Sequence, residues 1–180
     1  MEVMTGAIHR NVSGDIASAA KGDEVAFGRI VATFHADMHR VCVFVCGDQS
    51  IAEDAVQAAW AIAWRKLGSV REPERLRPWL VSIAVNETKQ LMRKRHRRSQ
   101  VETLSVPSGP GVGVDPATGI DALDLDAALL RLDADDRALL AMRYVAGFDA
   151  TELSLAIGLS PSGTRTRLER LLARLRRELA

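Results

Sequence analysis

The 180-residue sequence predicts an all-α protein of two small helical domains that are joined by a flexible linker. Apolar residues recur at three- and four-residue steps through most of the chain, which is the spacing of one face of a helix. Ala and Leu are frequent and aromatic residues make up only 4%, a composition that favours helices over strands. The periodicity then gives way to a stretch rich in proline and glycine, which predicts the linker at 99–120.

The first predicted domain, residues 22–98, contains three helices. The first helix covers 23–46, the second covers about 51–67, and each is followed by a glycine that is expected to end it. A loop with two prolines comes next. The second of these, Pro78, suits the first turn of a third helix, because the proline ring presets the backbone for a helix start. That helix carries an apolar side and continues into a basic segment.

The basic segment NETKQLMRKRHRR raises the question of an anionic partner. Six of its thirteen residues are Lys or Arg, whereas the whole chain has a net charge of only +1. Ser82, Asn86, Lys89 and Arg93 follow each other at steps of four, three and four residues, so they share one helical face. A charge run of this kind is often only a solvated helix face. Taken alone, this segment therefore leaves solvent exposure and nucleic-acid binding equally open.

The second predicted domain, residues 121–179, begins with an acidic stretch and ends with a basic one. Its four helices are expected at about 122–131, 134–146, 150–157 and 161–178. Side chains that can accept hydrogen bonds from the first backbone N–H groups stand just before three of these helices. The predicted caps are Asp133, then Thr151 or Asp149, and finally Ser160.

The last two helices have the proportions of a helix-turn-helix unit. Gly158 permits the positive φ that the sharp turn needs, and Pro161 fits the first turn of the second helix. Leucines of that helix face inward, while Arg165, Thr166, Glu169 and Arg170 face outward at helical spacing. Arginines presented in this way can bond guanine edges in the major groove of DNA. The alternative is an ordinary helical hairpin with a charged outer face.

Three segments together resemble the extracytoplasmic-function class of bacterial RNA polymerase sigma factors. They are AEDAVQAAWAIAWRKL, RPWLVSIAVNETKQLMRKRHRR and RLDADDRALLAMRYVAGFDATELSLAIGLSPSGTRTRLERLLARLRREL. The resemblance covers roughly 22–98 and 121–179, in the order that the family has. It implies a first domain of the sigma-two type and a second domain of the sigma-four type.

The resemblance also implies the partners and the residues that meet them. Such a factor binds core RNA polymerase through the β′ clamp coiled coil and the β subunit, and it directs the enzyme to promoter DNA. Core binding is expected at Glu53, Asp54 and Gln57. Minus-ten binding and melting are expected at Asn86, Lys89, Gln90, Arg93 and Arg95, with the loop before their helix capturing a flipped base. Minus-thirty-five binding is expected at Ser162, Arg165, Thr166, Arg167, Glu169 and Arg170. Because many family members are held inactive by an anti-sigma factor, such a partner is expected as well.

The chain departs from the family pattern at several positions. Where the family often has Asp in the helix after Asn86, this sequence has Thr88-Lys89-Gln90. Thr164 stands where the recognition helix often has Val, and Ser154 replaces a common Ala. These departures prevent a prediction of the promoter sequence.

The sequence contains little that supports another functional class. There is no Gly-rich phosphate loop and no convincing nucleophile–base spacing, so the chain is predicted to be neither an enzyme nor dependent on a cofactor, a metal or a small-molecule substrate. His35, His39, Cys42 and Cys46 share a helical face, but residues 35 and 46 would lie about 16 Å apart, too far for one Zn²⁺. The absence of a signal-peptide pattern predicts a cytoplasmic protein.

The main rival is a stand-alone helix-turn-helix regulator whose first domain senses a ligand or dimerises. Such a protein binds its operator without a polymerase, whereas a sigma factor needs the core enzyme.

Overall fold

The computed structural model describes residues 12–102, 125, 127–129 and 131–179, and no strand occurs among them. The helices are α1 at 12–19, α2 at Glu24–Cys46, α3 at Gln49–Lys66, α4 at Leu76–Glu102, α5 at Ala134–Leu140, α6 at Ala150–Ile157 and α7 at Pro161–Glu178. The predicted all-α class is therefore confirmed. Of the predicted helix 122–131, the described residues are helical. Within the described ranges, no helix combines the length and the apolarity that crossing a bilayer demands.

Side-chain caps set the ends of the first long helices. The Asp23 carboxylate accepts hydrogen bonds from two N–H groups at the start of α2, and Gly47 ends that helix with a φ of 66°. The Asp48 carboxylate accepts from Ile51 N. Because Asp48 caps α3, this helix begins two residues earlier than the predicted start at 51. A cap of this kind stabilises a helix by about 1 kcal/mol.

The predicted loop before α4 contains two short 3₁₀ turns, Leu67–Ser69 and Pro73–Arg75. The third helix then begins at Leu76, so Pro78 lies in its first turn as predicted. It continues to Glu102, four residues into the predicted linker, since Ser-Gln-Val-Glu contains no helix-breaking residue. The rest of that linker lies outside the described residues.

The last three helices of the second domain begin at the predicted residues, with one change in winding. Residues predicted as the end of helix 134–146 form a π-helical turn, Ala141–Val145, in which Ala146 N donates to Ala141 O. Asp133, Asp149 and Ser160 cap α5, α6 and α7 through hydrogen bonds to backbone N–H groups. Thr151, the alternative cap, instead donates its own N–H to Asp149.

Each domain buries one side of every helix, and the two cores meet. Ile30, Met38, Val56 and Leu80 are almost fully buried among α2, α3 and α4. In the second domain the buried set is Leu139, Met142, Phe148, Leu153 and Leu171. These side chains belong to one continuous apolar cluster. The two domains therefore pack directly against each other, with α2 and α4 of the first domain in contact with the second.

Candidate nucleic-acid interface

The outer face of α3 carries the residues predicted to bind core polymerase. Glu53, Asp54 and Gln57 are all exposed. None of their side chains forms a hydrogen bond or an ion pair with the described part of the chain. The opposite face of α3 is sealed in the first-domain core by fully buried alanines and Val56. The helix is thus held firmly while its polar face remains available to a partner.

The middle of α4 faces the second domain. Lys89 Nζ lies 2.7 Å from Asp135 Oδ1, and the Lys89 side chain is only 20% exposed. Asn86 is exposed at the edge of a cavity of about 320 Å³ between the domains, which Lys89, Asp135 and Arg167 also line. The structure therefore brings Asn86 and Lys89 together on one face, as the helical spacing predicts, but it closes this face with an acidic side chain of the other domain.

Thr88 is turned to the inside of the first domain. It is fully buried, and its hydroxyl donates to Ala84 O within the helix at 2.9 Å. An Asp at this position would place a charge in an apolar core, which costs several kcal/mol unless the charge is paired. Among the three residues that depart from the family pattern after Asn86, Thr88 therefore packs in the core. Only Lys89 and Gln90 reach the surface.

Beyond Lys89 the helix emerges into solvent. Arg93, Lys94, Arg97 and Arg98 are exposed, and Gln90 Nε2 donates to Glu87 of its own helix. Arg95 forms an ion pair with Asp48. The Ile51 N–H and the Arg95 guanidinium lower the pKa of the Asp48 carboxyl, so this carboxylate stays charged at neutral pH. Arg95 is therefore engaged within the chain, whereas Arg93 is exposed and forms no ion pair with the described residues.

The 3₁₀ turns before α4 border an open cavity of about 330 Å³. Its walls include Arg71, Arg75, Trp79 and Ser82 of the first domain, and Leu155 of α6 closes one side. An aromatic wall with nearby guanidinium groups can hold a stacked base. A residue of the second domain thus lines a cavity at the loop that the sequence analysis placed in the first domain.

The outer face of α7 is open. Arg165, Thr166, Glu169 and Arg170 are exposed, and no hydrogen bond or ion pair ties them to the described residues. Leu171 and Leu175 are buried on the inner side, as the leucine spacing predicts. Ser162, near the start of the helix, is exposed with its hydroxyl 3.2 Å from that of Ser160.

Arg167 differs from its neighbours on α7. Its Nη2 lies 3.0 Å from Asp136 Oδ1, and Arg174 reaches the same carboxylate at 3.6 Å. The family resemblance led to the expectation that Arg167 binds DNA. In this arrangement it instead joins α7 to the start of α5.

Arg77 at the domain contact was missed by the sequence reasoning, which placed it in a loop. Its guanidinium bonds Asp37 at 3.0 Å in the first domain and Glu152 at 3.1 Å in the second, and it also donates to Ala146 O. The same group lies 4.5 Å above the ring of the buried Phe148. Because these partners are 40 to 75 residues away along the chain, no local pattern could have revealed this role.

The His/Cys face of α2 does not form a metal site. No group of three His, Cys, Asp or Glu side chains in the described ranges could hold a metal ion. His35 Nδ1 accepts from Trp60 Nε1 at 3.3 Å, and Cys46 Sγ donates to the Cys42 carbonyl. Burial raises the pKa of the Cys42 thiol to about 11, so this residue is protonated at neutral pH and a poor metal ligand.

Two family models match the chain, in the order expected from the sequence. Residues 30–98 match Sigma-70 region 2, and residues 122–175 match Sigma-70, region 4. CarQ of Myxococcus xanthus, an RNA polymerase sigma factor, is 31% identical over 133 residues, which are 71% of this chain and 74% of CarQ. The chain belongs to the sigma-70 family. Relatives of the extracytoplasmic-function class also match over most of their length, which places this sigma factor in that class.

Other known proteins resemble the sigma factor along most of its length. The probable RNA polymerase sigma factor RfaY of Xanthomonas campestris pv. campestris is 29% identical over 172 residues, but this chain spans only 43% of RfaY. The solved structure of the sigma factor RpoE in complex with the anti-sigma factor NepR from Bartonella quintana has a TM-score of 0.66 and 25% identity. The matched region covers 85% of this chain and 96% of the RpoE chain.

These findings decide between the two functions that the sequence left open. The first domain matches Sigma-70 region 2 over residues 30–98. Members of this family are non-catalytic initiation factors. The chain is therefore an alternative sigma factor for transcription initiation, and the stand-alone regulator is set aside.

Proposed function

We propose that three helix faces of this sigma factor divide the work of initiation. The α3 face with Glu53, Asp54 and Gln57 docks on the β′ clamp coiled coil of core polymerase. The α4 face with Asn86 and Lys89 binds and melts the minus-ten element. The α7 face with Arg165, Thr166, Glu169 and Arg170 reads the minus-thirty-five element.

The open α7 face carries this proposal. A guanidinium group that is bonded within the protein is less available to a base edge, whereas Arg165 and Arg170 are exposed and form no ion pair with the described residues. Each bidentate arginine–guanine contact contributes about 1–3 kcal/mol of discrimination. Gln90, Arg93 and Arg95 on α4, and Ser162 and Arg167 on α7, complete the proposed contacts, mostly to phosphates.

The proposal also covers the cellular compartment in which the protein acts and a protein that regulates it. Core polymerase and promoter DNA are cytoplasmic, so the sigma factor acts there, without chemistry of its own. An anti-sigma factor is a further proposed partner, since RpoE, which this chain resembles, is bound to one.

The docking face offers the first test. Asp54→Arg combined with Gln57→Ala removes an acidic and an amide side chain from an exposed face, so the fold should survive while affinity for core polymerase falls at least about tenfold. Binding is measured by titrating labelled sigma factor with core enzyme, and activity by reconstituted transcription from a promoter library.

A matched control variant changes the net charge by the same amount on a different helix. Glu24→Arg alters an exposed acidic residue of α2 that makes no ion pair with the described residues, and it should bind core polymerase like the wild type. Wild-type affinity in the α3 double variant rules out this docking face. Absence of transcription by the wild-type holoenzyme from every promoter in the library contradicts the proposed function as a whole.

A further inference from the structure

The short helix α1 packs against the first domain, although it precedes both matched sigma regions. It spans 12–19, whereas the match to Sigma-70 region 2 covers 30–98. Its inner face consists of four residues at helical spacing, Val12, Asp15, Ile16 and Ala19. Each of them is at most 8% exposed, and the three apolar ones belong to the continuous apolar cluster. The core therefore holds α1 in one position.

The inner face of α1 contains one charged residue, Asp15. Its Oδ1 atom accepts two hydrogen bonds from the Arg29 guanidinium of α2, from Nε at 2.8 Å and from Nη2 at 2.6 Å. Because a buried carboxylate is costly unless it is paired, this residue favours the one placement of α1 in which Arg29 reaches it. The turn after α1 adds a second tie, since Asp23 N donates to Ser18 O at 3.2 Å.

The end of α1 lies beside the first 3₁₀ turn, Leu67–Ser69. A Cβ atom placed on Gly68 would lie 4.0 Å from Ala20 Cβ, which is ordinary van der Waals contact, and the neighbouring Leu67 is fully buried. Ser69 and the two residues after it line the open cavity of about 330 Å³ before α4. One side of this turn is therefore supported by α1, and the other side forms a wall of the cavity.

The hydrogen bonds of the turn are local. Val70 N donates to Leu67 O at 3.0 Å, and Ser69 Oγ donates to Lys66 O at 2.7 Å. Both bonds join residues three positions apart, so they fix the shape of the turn but not its distance from Trp79, which forms the aromatic wall of the cavity. That distance depends on what packs behind the turn.

We propose that α1 is a positioning element for promoter melting and that the Asp15–Arg29 pair fixes it in place. The helix holds the 3₁₀ turn at the distance from Trp79 that lets a flipped base enter the cavity. The inference rests on the proposed function, in which the minus-ten element is melted, and on the expected capture of a flipped base by the loop before α4. Asp15 and Arg29 are positioning residues, since neither of them lines the cavity.

The test breaks the Asp15–Arg29 pair from either side in the full-length chain and measures opening by the holoenzyme. Asp15→Ala removes the buried partner, and Arg29→Ala removes a side chain that is 51% exposed, so that this variant should fold. Affinity for core polymerase and formation of the closed complex should match the wild type. The opening rate, followed by permanganate reactivity of minus-ten thymines, should fall about three- to tenfold.

Two further measurements identify base capture as the impaired step. Holoenzyme binding to a fork-junction template, whose minus-ten bases are already single-stranded, should weaken by a similar factor, because capture no longer depends on melting. The Asp15→Ala/Arg29→Ala double variant should open no more slowly than the slower single variant, since both substitutions remove the same contact.

Val45→Ala is the control for a general loss of stability. Val45 is 1% exposed and lies about 24 Å from Arg29 along α2. Its truncation leaves a cavity in the core of the first domain without touching α1. Val45→Ala should lower the melting temperature by at least as much as Arg29→Ala, yet its holoenzyme should open the promoter at the wild-type rate.

Two results overturn the inference. Opening at the wild-type rate by both single variants means that α1 does not position the turn, and if Asp15→Ala does not fold, Arg29→Ala alone decides this point. Equal slowing by Val45→Ala means that opening only follows the stability of the first domain. A failure of the proposed function is distinguishable from both, because the wild-type holoenzyme would then not open the promoter.

Discussion

The helices α4 and α7 both present a row of polar and cationic side chains. The row on α4 is partly covered by the other domain, whereas the row on α7 is exposed to solvent. On α4, Lys89 is 20% exposed and is bonded to a carboxylate of the other domain. On α7, Arg165 and Arg170 stand open to solvent. Helical spacing identifies a face equally well in both cases. Whether the face is free depends on a domain that is distant in sequence.

The largest expected effect concerns the covered face. Asn86→Ala with Lys89→Ala should permit a closed promoter complex but slow opening roughly tenfold, because each lost hydrogen bond to an unstacked base contributes about 0.5–1.5 kcal/mol. Permanganate reactivity of unpaired thymines measures opening. Lys94→Ala, an exposed cation on the same helix, is the control and should open normally. Normal thymine reactivity in the double variant would assign melting to another face.

The open face should separate base reading from phosphate binding. Arg170→Ala should relax preference at one or two positions of the minus-thirty-five element, at a cost of about 1–3 kcal/mol. Arg176 is exposed near the end of α7, and Arg176→Ala should weaken binding to all sequences alike and lower the salt slope by about one. A randomised minus-thirty-five library, transcribed by each holoenzyme at two salt concentrations, distinguishes the two. Unaltered preference in both variants contradicts the base-reading assignment.

The inner side of α7 allows a prediction about stability alone. Thr164 is 1% exposed, and its hydroxyl has no hydrogen-bond partner among the described residues. Thr164→Val replaces the hydroxyl by a methyl group of similar size, so the free energy of unfolding should rise by about 1 kcal/mol. Urea denaturation measures the change. Thr166→Val, on the exposed side of the same helix, should alter stability by less than about 0.5 kcal/mol. A destabilised Thr164→Val protein would mean that the hydroxyl is bonded after all.

The smallest expected effect is a shift in one titration. Lys89→Ala should raise the pKa of Asp135 toward its ordinary value of 3.8, since Lys89 is the main cause of the lowered value. The pair therefore supports domain closure above that ordinary value, and the support is lost as pH falls through the lower, folded-state pKa. An NMR titration of the carboxyl carbon follows this directly. Arg95→Ala should instead shift Asp48 and leave Asp135 unchanged. An Asp135 pKa that does not respond to Lys89→Ala would show that the ion pair does not form in solution.

The helices could be predicted from the sequence because their signals are local. Gly47, Asp149, Ser160 and Gly158 act within four residues of themselves, and the ends of α2, α6 and α7 agree with the prediction. The π turn after α5 was not predicted, because apolar spacing is nearly the same for α and π winding over five residues.

The site was only partly predictable, because several of its contacts join residues that are distant in sequence. Exposure of Asp54 and Arg170 agrees with their positions on amphipathic helices, and the roles given to them stay predictions. The ion pairs of Lys89 and Arg167 join residues 46 and 31 positions apart, and a charge pattern contains no information on such pairing. The same limit applies to Arg77, whose neighbour Phe148 is contributed by the other domain.

The two cysteines of the chain carry a consequence for signalling. Cys42 is buried with a thiol pKa of about 11, and burial also raises the pKa of Cys46, whose Sγ is hydrogen-bonded to backbone carbonyls. Peroxides and electrophiles react with thiolates, and at neutral pH neither residue offers an appreciable thiolate fraction. The two cysteine thiols of the sigma factor are therefore poor targets for oxidants at neutral pH. An oxidative stimulus that acts through a reactive cysteine has to be received by another protein and passed on by binding.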